Sequence, residues 1–170
     1  MPNPTAILET SLGTFEAEIY VEQMPITGGN FVALARAGFY DGQHFHRVVP
    51  DFMIQTGCPY TRDPRDPRAG SGGPPHGTIP DELTARISNR RGTLSMANMG
   101  RPDTGGSQFF VNLADNDFLD WFAPGPSAHP VFGRVTRGIE IADAIGRVTT
   151  DEGSRPVEPV ELRRVLLVGA

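Results

Sequence analysis

The sequence contains no lysine; all 15 of its basic residues are arginine. That removes Schiff-base and lysine-nucleophile chemistry. Cysteine is nearly as scarce. The single thiol, Cys58, cannot close an internal disulfide, so the fold requires none and a reducing compartment suits it. No apolar run approaches membrane-spanning length. Met1-Pro2-Asn3-Pro4-Thr5 lacks the basic start and apolar stretch of a signal peptide. Excess positive charge is also missing. The formal net charge of -5 argues against a phosphate-binding face as the main function. Absent too are a Gly-x-Ser-x-Gly elbow, a phosphate loop and zinc-type Cys/His spacing. The expectation is a cytoplasmic protein, a monomer, with no nucleic acid, membrane, metal or cofactor as a partner.

What is present describes an ordinary globular chain. Its 170 residues predict one domain over 1–170, and a hydrophobic fraction of 38% is enough for a core. Ala6-Ile7-Leu8-Glu9-Thr10 reads as a strand. Thr14, Glu16, Glu18 and Tyr20 alternate with Phe15, Ala17, Ile19 and Val21 in a second one. Ser11-Leu12-Gly13 between them is a hairpin turn. A helix is predicted from Pro25 to Ala37, with Gly28 and Gly29 weakening its first turn, so packing must hold that end. Short strands follow at 92–97, 107–112 and 130–135, then a helix over Gly138 to Ile145 and a last strand from Val160 to Val168. Many short strands and two helices predict a mostly β protein, a closed antiparallel barrel with helices on its ends.

Residues Cys58 to Pro80 are rich in proline and glycine and enclose the tandem Arg62-Asp63-Pro64-Arg65-Asp66-Pro67-Arg68. A semi-rigid, charge-balanced solvated loop is the favoured reading; a rim that meets a partner is the functional one. His44 and His46 form a His-x-His pair. A metal site is conceivable, but Arg47 beside them repels a cation and no third ligand stands nearby, so a structural pair is favoured. Cys58 lacks a neighbouring base and reads as an inert thiol.

Phe45 to Gly57 is the most informative stretch. It sets Arg47 at the head of an apolar strand, near Phe52, Met53 and Gln55. Such an arginine is either a structural ion pair or a fixed guanidinium aimed at a ligand. Period two puts Arg47 with Val49 and Met53 with Gln55, but Pro50-Asp51 interrupts, so facing across the bend is not derivable.

The segment Tyr40-Asp41-Gly42-x-x-Phe45-His46-Arg47-Val48-Val49-x-x-Phe52-Met53-x-Gln55-x-Gly57 resembles the signature of the cyclophilins, the cyclosporin-binding peptidyl-prolyl isomerases. Leu94-Ser95-Met96-Ala97-Asn98, Gly106-Ser107-Gln108-Phe109-Phe110 and Val131-Phe132-Gly133 follow in that family's order, and the likeness runs from about Ala6 to Val168. It implies a closed eight-stranded antiparallel β-barrel capped by two α-helices, with a substrate groove outside. It implies an isomerase that rotates X-Pro bonds in peptides and in unfolded or folding proteins. Arg47 matches the catalytic arginine. Phe52, Met53, Phe110 and Leu119 match the walls of a proline pocket, and His129 its rim. Gln55, Gly70, Ala97, Asn98 and Gln108 match residues that hold the peptide backbone and the neighbouring side chain. Gln55 is expected to orient the Arg47 fork.

The chain departs from that pattern in places. Phe118 stands where many eukaryotic members carry a tryptophan whose indole N–H bonds cyclosporin, which implies weakened cyclosporin affinity; Trp121 lies three residues later. Met99 occupies a position where a small residue is frequent and is expected to narrow the second pocket. Gln43 replaces a commoner Ser or Thr, and Trp121 to Ala128 lengthens the loop before His129. Two other readings stand beside the enzyme: a binding module for proline-containing segments, and a scaffold centred on the 58–80 loop.

Overall fold

The computed structural model describes residues 2–170. Strand β1 (Thr5–Thr10) turns through Ser11-Leu12 into β2 (Gly13–Ile19). Thr10 Oγ1 donates to the Gly13 carbonyl at 2.6 Å, and Gly13 has φ +134°, a conformation that favours glycine. Alternation buries Ala6 and Leu8 from one strand and Phe15, Ala17 and Ile19 from the other. Helix α1 (Pro25–Arg36) starts on a proline and buries Phe31, Val32, Leu34 and Ala35. No side chain at its own N-cap serves its free amides. Glu82, buried and 55 residues distant from Thr27, accepts from the amides of Ile26 at 2.9 Å and Thr27 at 2.7 Å. Tertiary structure thus holds the glycine-weakened end, and a carboxylate suits the positive end of a helix.

The remaining strands are β3 (Gln43–His44), β4 (Arg47–Val49), β5 (Met53–Thr56), β6 (Thr93–Met96), β7 (Phe109–Asn112), β8 (Val131–Arg137) and β9 (Glu161–Val168), with α2 (Ile139–Gly146) between the last two. All neighbours pair antiparallel, in the order β3-β9-β1-β2-β8-β6-β7-β5-β4. The closed eight-stranded barrel expected from sequence is therefore corrected to a curled sheet of nine strands. Its end strands, β3 and β4, are two and three residues long and do not pair with each other. Only Phe45-His46 separates them in the chain. Their edge is satisfied by irregular backbone instead: the Phe45 amide donates to the Val160 carbonyl at 3.0 Å and the Val48 amide to that of Ser154 at 2.8 Å.

The sheet carries apolar side chains on both faces. On one face Val48, Ile54, Val111 and Leu94 join Phe31, Phe109 and Phe132 in the main core. On the other, Met53 and Phe110 form a smaller cluster with Ala97 and Leu119, flanked by Val49 and Phe52. That second cluster lies where the candidate site is.

Candidate active site

Asp51 turns the chain between β4 and β5 with φ +58°, and the Phe52 amide donates to the Val49 carbonyl at 3.1 Å. This tight turn fixes the register Arg47↔Gln55, Val48↔Ile54, Val49↔Met53. The next ladder sets Gln55 opposite Phe110 and Met53 opposite Asn112. Directly opposed residues share a face. Arg47, Gln55 and Phe110 therefore form one row on the outer face, and the facing that sequence left open is settled.

Arg47 is exposed and, among the described residues, its side chain has neither a hydrogen bond nor an ion pair. The structural ion pair is thus not what holds it. Nor is Gln55 bonded to it as expected. Gln55 Nε2 donates to Gln108 Oε1 at 3.0 Å. Gln108 commits its own Nε2 to the carbonyls of Gly70 and Gly72, both at 2.9 Å, which turns its oxygen toward Gln55.

Arg47 stands over a groove of about 500 Å³. Phe52, Met53, Ala97, Phe110 and Leu119 line its apolar part, and Gln55, Gly70, Asn98 and His129 its polar margin. The His129 ring meets Phe110 edge-on at 5.4 Å. Its Nδ1 lies 3.0 Å from the Met96 carbonyl oxygen, which requires the proton on that nitrogen. Asn98 donates to the Ala128 carbonyl at 2.9 Å and accepts from the Gly100 amide at 2.9 Å. A second cavity of about 290 Å³ adjoins the groove. The two share Gln55, Gly70, Ala97 and Asn98, while Met99 and Gln108 line only the second. Met99 is 69% exposed there. Phe118 is the one predicted residue outside both cavities. It is 58% exposed and reaches the groove only by stacking on Phe52, with ring centroids 6.0 Å apart.

The His-x-His pair divides. His44 Nδ1 bonds the Thr61 carbonyl at 2.6 Å, a structural contact. His46 lines the groove, and no residue-by-residue expectation had assigned it there. Its Nδ1 is buried without a partner. Burial pushes its pKa down to about 4, with Arg155 and Arg47 acting in the same direction and Gln108 opposing. Among the described residues no group of three or more His, Cys, Asp or Glu side chains is arranged to hold a metal.

Sequence reasoning also missed the scaffold behind the groove. Asp120, 3% exposed, accepts from the Asn89 amide at 2.7 Å, Asn89 Nδ2 at 2.8 Å and Ser88 Oγ at 2.5 Å. Asn89 then donates to the His129 carbonyl and accepts from Ser95 and Asn112. Asn116 donates to the Phe52 carbonyl and to Asn112 Oδ1, both at 2.9 Å. A buried polar network of this kind is rigid only when its members are satisfied. Here it fixes the backbone of Phe52 and His129, on two sides of the groove. The one signal in the sequence was Asn112, a polar residue closing the apolar run Phe109-Phe110-Val111.

The chain resembles known proteins over nearly its whole length. The family model described as cyclophilin type peptidyl-prolyl cis-trans isomerase/CLD matches residues 5–166. The peptidyl-prolyl cis-trans isomerase CYP18-2 of Arabidopsis thaliana is 39% identical over 166 residues, covering 97% of this chain and 94% of the relative. The human peptidyl-prolyl cis-trans isomerase-like 1 is 41% identical over 160 residues, covering 94% of this chain and 89% of the relative. In three dimensions, a cyclophilin type isomerase of Cryptosporidium parvum superposes with a TM-score of 0.86 at 26% identity, covering 99% of both chains. A second crystal structure of that protein, in the presence of the dipeptide Ala-Pro, gives 0.85 and covers 98% and 99%. The groove, its arginine and these relatives converge on one assignment: the chain belongs to the cyclophilin family and is a peptidyl-prolyl cis-trans isomerase.

Proposed function

We propose that the groove takes the proline ring of an X-Pro segment against Phe52, Met53, Phe110 and Leu119, and that Arg47 stabilises the twisted amide as the bond rotates. The observation that carries this reading is the strand register. It sets an unpaired guanidinium on the same face as an apolar slot. The Ala-Pro dipeptide present with the Cryptosporidium parvum structure supports a proline-containing ligand for this groove.

The chemistry follows from the peptide bond itself. Resonance gives the C–N bond partial double-bond character and makes uncatalysed X-Pro rotation slow. At the twisted transition state that resonance is lost, and the prolyl nitrogen regains a lone pair. A donor aimed there favours the twisted form over either planar one, which is the differential binding that catalysis requires. Arginine suits the task because it stays charged and presents a planar fork of donors. Rotation also needs one side of the bond held. The apolar slot anchors the ring, while Gln55, Asn98, Ala97, Gly70 and Gln108 hold backbone and the preceding side chain. An acceleration of roughly 10⁵ requires about 7 kcal/mol of transition-state preference. One charged hydrogen bond contributes about 1.5–3 kcal/mol net. Anchoring and water exclusion by the slot supply the remainder.

No step moves a proton between enzyme and substrate. Substrates are proline-containing peptides and unfolded or folding chains, so the reading is of a folding helper. Its lone cysteine, buried, suits a reducing compartment, and the reading puts the protein in the cytoplasm as a monomer. A binding module without turnover is less well supported, since a holding groove needs no unpaired arginine over the slot.

In a prolyl isomerisation assay on a short X-Pro peptide, Arg47→Ala is expected to lower kcat/KM by about 10²-fold with the fold intact. A native protein without acceleration, or an Arg47→Ala variant with full activity, contradicts the mechanism. Cyclosporin is expected to inhibit weakly, because Phe118 offers no N–H and stands out in solvent beside Phe52. Phe118→Trp should tighten inhibition by about fivefold, the worth of one net hydrogen bond; unchanged inhibition counts against that account. The pH behaviour separates stability from catalysis. The folded pKa of His46, about 4, lies below its ordinary 6.5, so between those values the unfolded chain binds more protons. The His46 contribution to stability is full above pH 6.5 and is lost as pH falls toward 4. In folded protein, kcat/KM should stay flat across that window; an inflection near 6.5 would show a catalytic histidine.

A further inference from the structure

We propose that Cys58 is a positioning residue whose sulfur sets the Gly70–Gly72 strip between the groove and the second cavity, and so governs how well longer peptides are held. The proposal rests on the groove being the X-Pro site.

Cys58 lies two residues beyond the end of β5 and is fully buried. Its Sγ accepts two backbone hydrogen bonds, from the amides of Gly70 and Gly72, each at 3.3 Å. The carbonyls of the same two residues accept from Gln108 Nε2. Each peptide strip is thus fixed at its N–H by the thiol and at its C=O by the amide. The strip can come this close only because it is glycine. A Cβ on Gly72 would lie 3.1 Å from the Cys58 sulfur, 2.9 Å from the Tyr60 ring and 3.0 Å from Pro59. Gly70 adopts φ +94°, and a Cβ there would come 3.3 Å from the His46 ring. This backbone has no strand or helix to hold it. Ser71 anchors it locally, its amide and hydroxyl donating to the Arg68 carbonyl at 2.9 and 2.6 Å, but among the described residues only Cys58 and Gln108 tie Gly70 and Gly72 to the elements behind the cavities.

The position of the strip matters for binding. Gly70 lines both cavities, and Gly72 lines the second. Gln108, which braces the strip, also holds Gln55 by the hydrogen bond between their side chains. Sulfur is a weak acceptor, but two part-buried amides left without it would be unsatisfied, and the strip would move to find other partners. Arg47 and the proline slot are bound to other elements and would stay. The consequence is a split: binding of the flanking peptide loosens while the rotation step is preserved. Cys58 therefore acts through the strip and touches no reacting atom.

The test uses the full chain and two substrates, an N-acetyl-Ala-Pro amide and the longer Leu-Ala-Pro-Phe. Cys58→Ala is expected to raise KM for the longer peptide by about fivefold with kcat retained, and to raise it by less for the short one, which reaches the strip only through the alanine before its proline. Cys58→Ser, which keeps a two-lone-pair acceptor, should restore KM. Amide exchange at Gly70 and Gly72 should accelerate by about tenfold in Cys58→Ala and return in Cys58→Ser. Unchanged KM with unchanged exchange overturns the proposal, as does an equal fall in kcat for both peptides. An unaltered protein without turnover would strike the functional reading instead, and the exchange measurement would still decide the role of Cys58.

Discussion

Arg47 faces Gln55 across one ladder, and Gln55 faces Phe110 across the next. Side chains alternate along a strand, so a slip of one residue in either ladder would turn the row over. Met53 and Phe110 would enter the main core, and Ile54 and Val111 would stand in solvent. The burial of Val48, Ile54, Val111 and Leu94 together on the inner face forbids that slip. The same hydrophobic pattern that stabilises the core thus places the arginine and the apolar slot side by side. The turn at Asp51 completes the constraint by fixing how β4 returns along β5.

Around that row the molecule keeps carboxylates away from the guanidinium and polar groups fixed. Carboxylates elsewhere pair with other arginines, Glu9 facing Arg164, Asp143 facing Arg91 and Asp66 facing Arg68. Pairs so exposed contribute little to stability. None of these six residues lines the groove. The buried Asp120 is consumed by Ser88 and Asn89, and Glu82 by the start of α1. Next to Arg47 the rigidity comes from hydrogen bonds between neutral groups: Gln55 to Gln108, Gln108 to Gly70 and Gly72, and Asn116 to the Phe52 carbonyl, with the Asp120 carboxyl group anchoring only the Asn89 side behind His129. Neutral amides hold geometry without drawing off the charge of Arg47.

Much of this was legible in the sequence because strand alternation and motif order are local signals. The β1–β2 hairpin followed from period two, and both helices from an apolar face closed by glycine. The groove residues were named from a family likeness, and ten of them line one cavity. What sequence could not show was non-local. The sheet does not close because its end strands, β3 and β4, each pair on one side only and not with each other, and nothing in Phe45-His46 reveals that. Gln55 was expected to hold Arg47, and the two do stand opposite each other on adjacent strands. Gln108, 53 residues further along, takes the Gln55 amide instead. Phe118 was placed with the site by position, yet its side chain points past the groove and stacks on Phe52. Apart from Asn112, the asparagine network left no trace in the sequence, because isolated asparagines carry no pattern until their strands are adjacent.

The central claim is that an unpaired charge, held in register over an apolar slot, drives the rotation. Gln55→Glu read against Gln55→Met tests it most directly, because both lose the donation to Gln108 while only the first sets a carboxylate opposite Arg47, and neither removes the arginine or the slot. The account predicts a correctly folded Gln55→Glu variant whose prolyl isomerase kcat/KM falls about 10²-fold below that of Gln55→Met, since the guanidinium is then neutralised by its neighbour. A folded Gln55→Glu variant that isomerises X-Pro peptides as fast as Gln55→Met would contradict it.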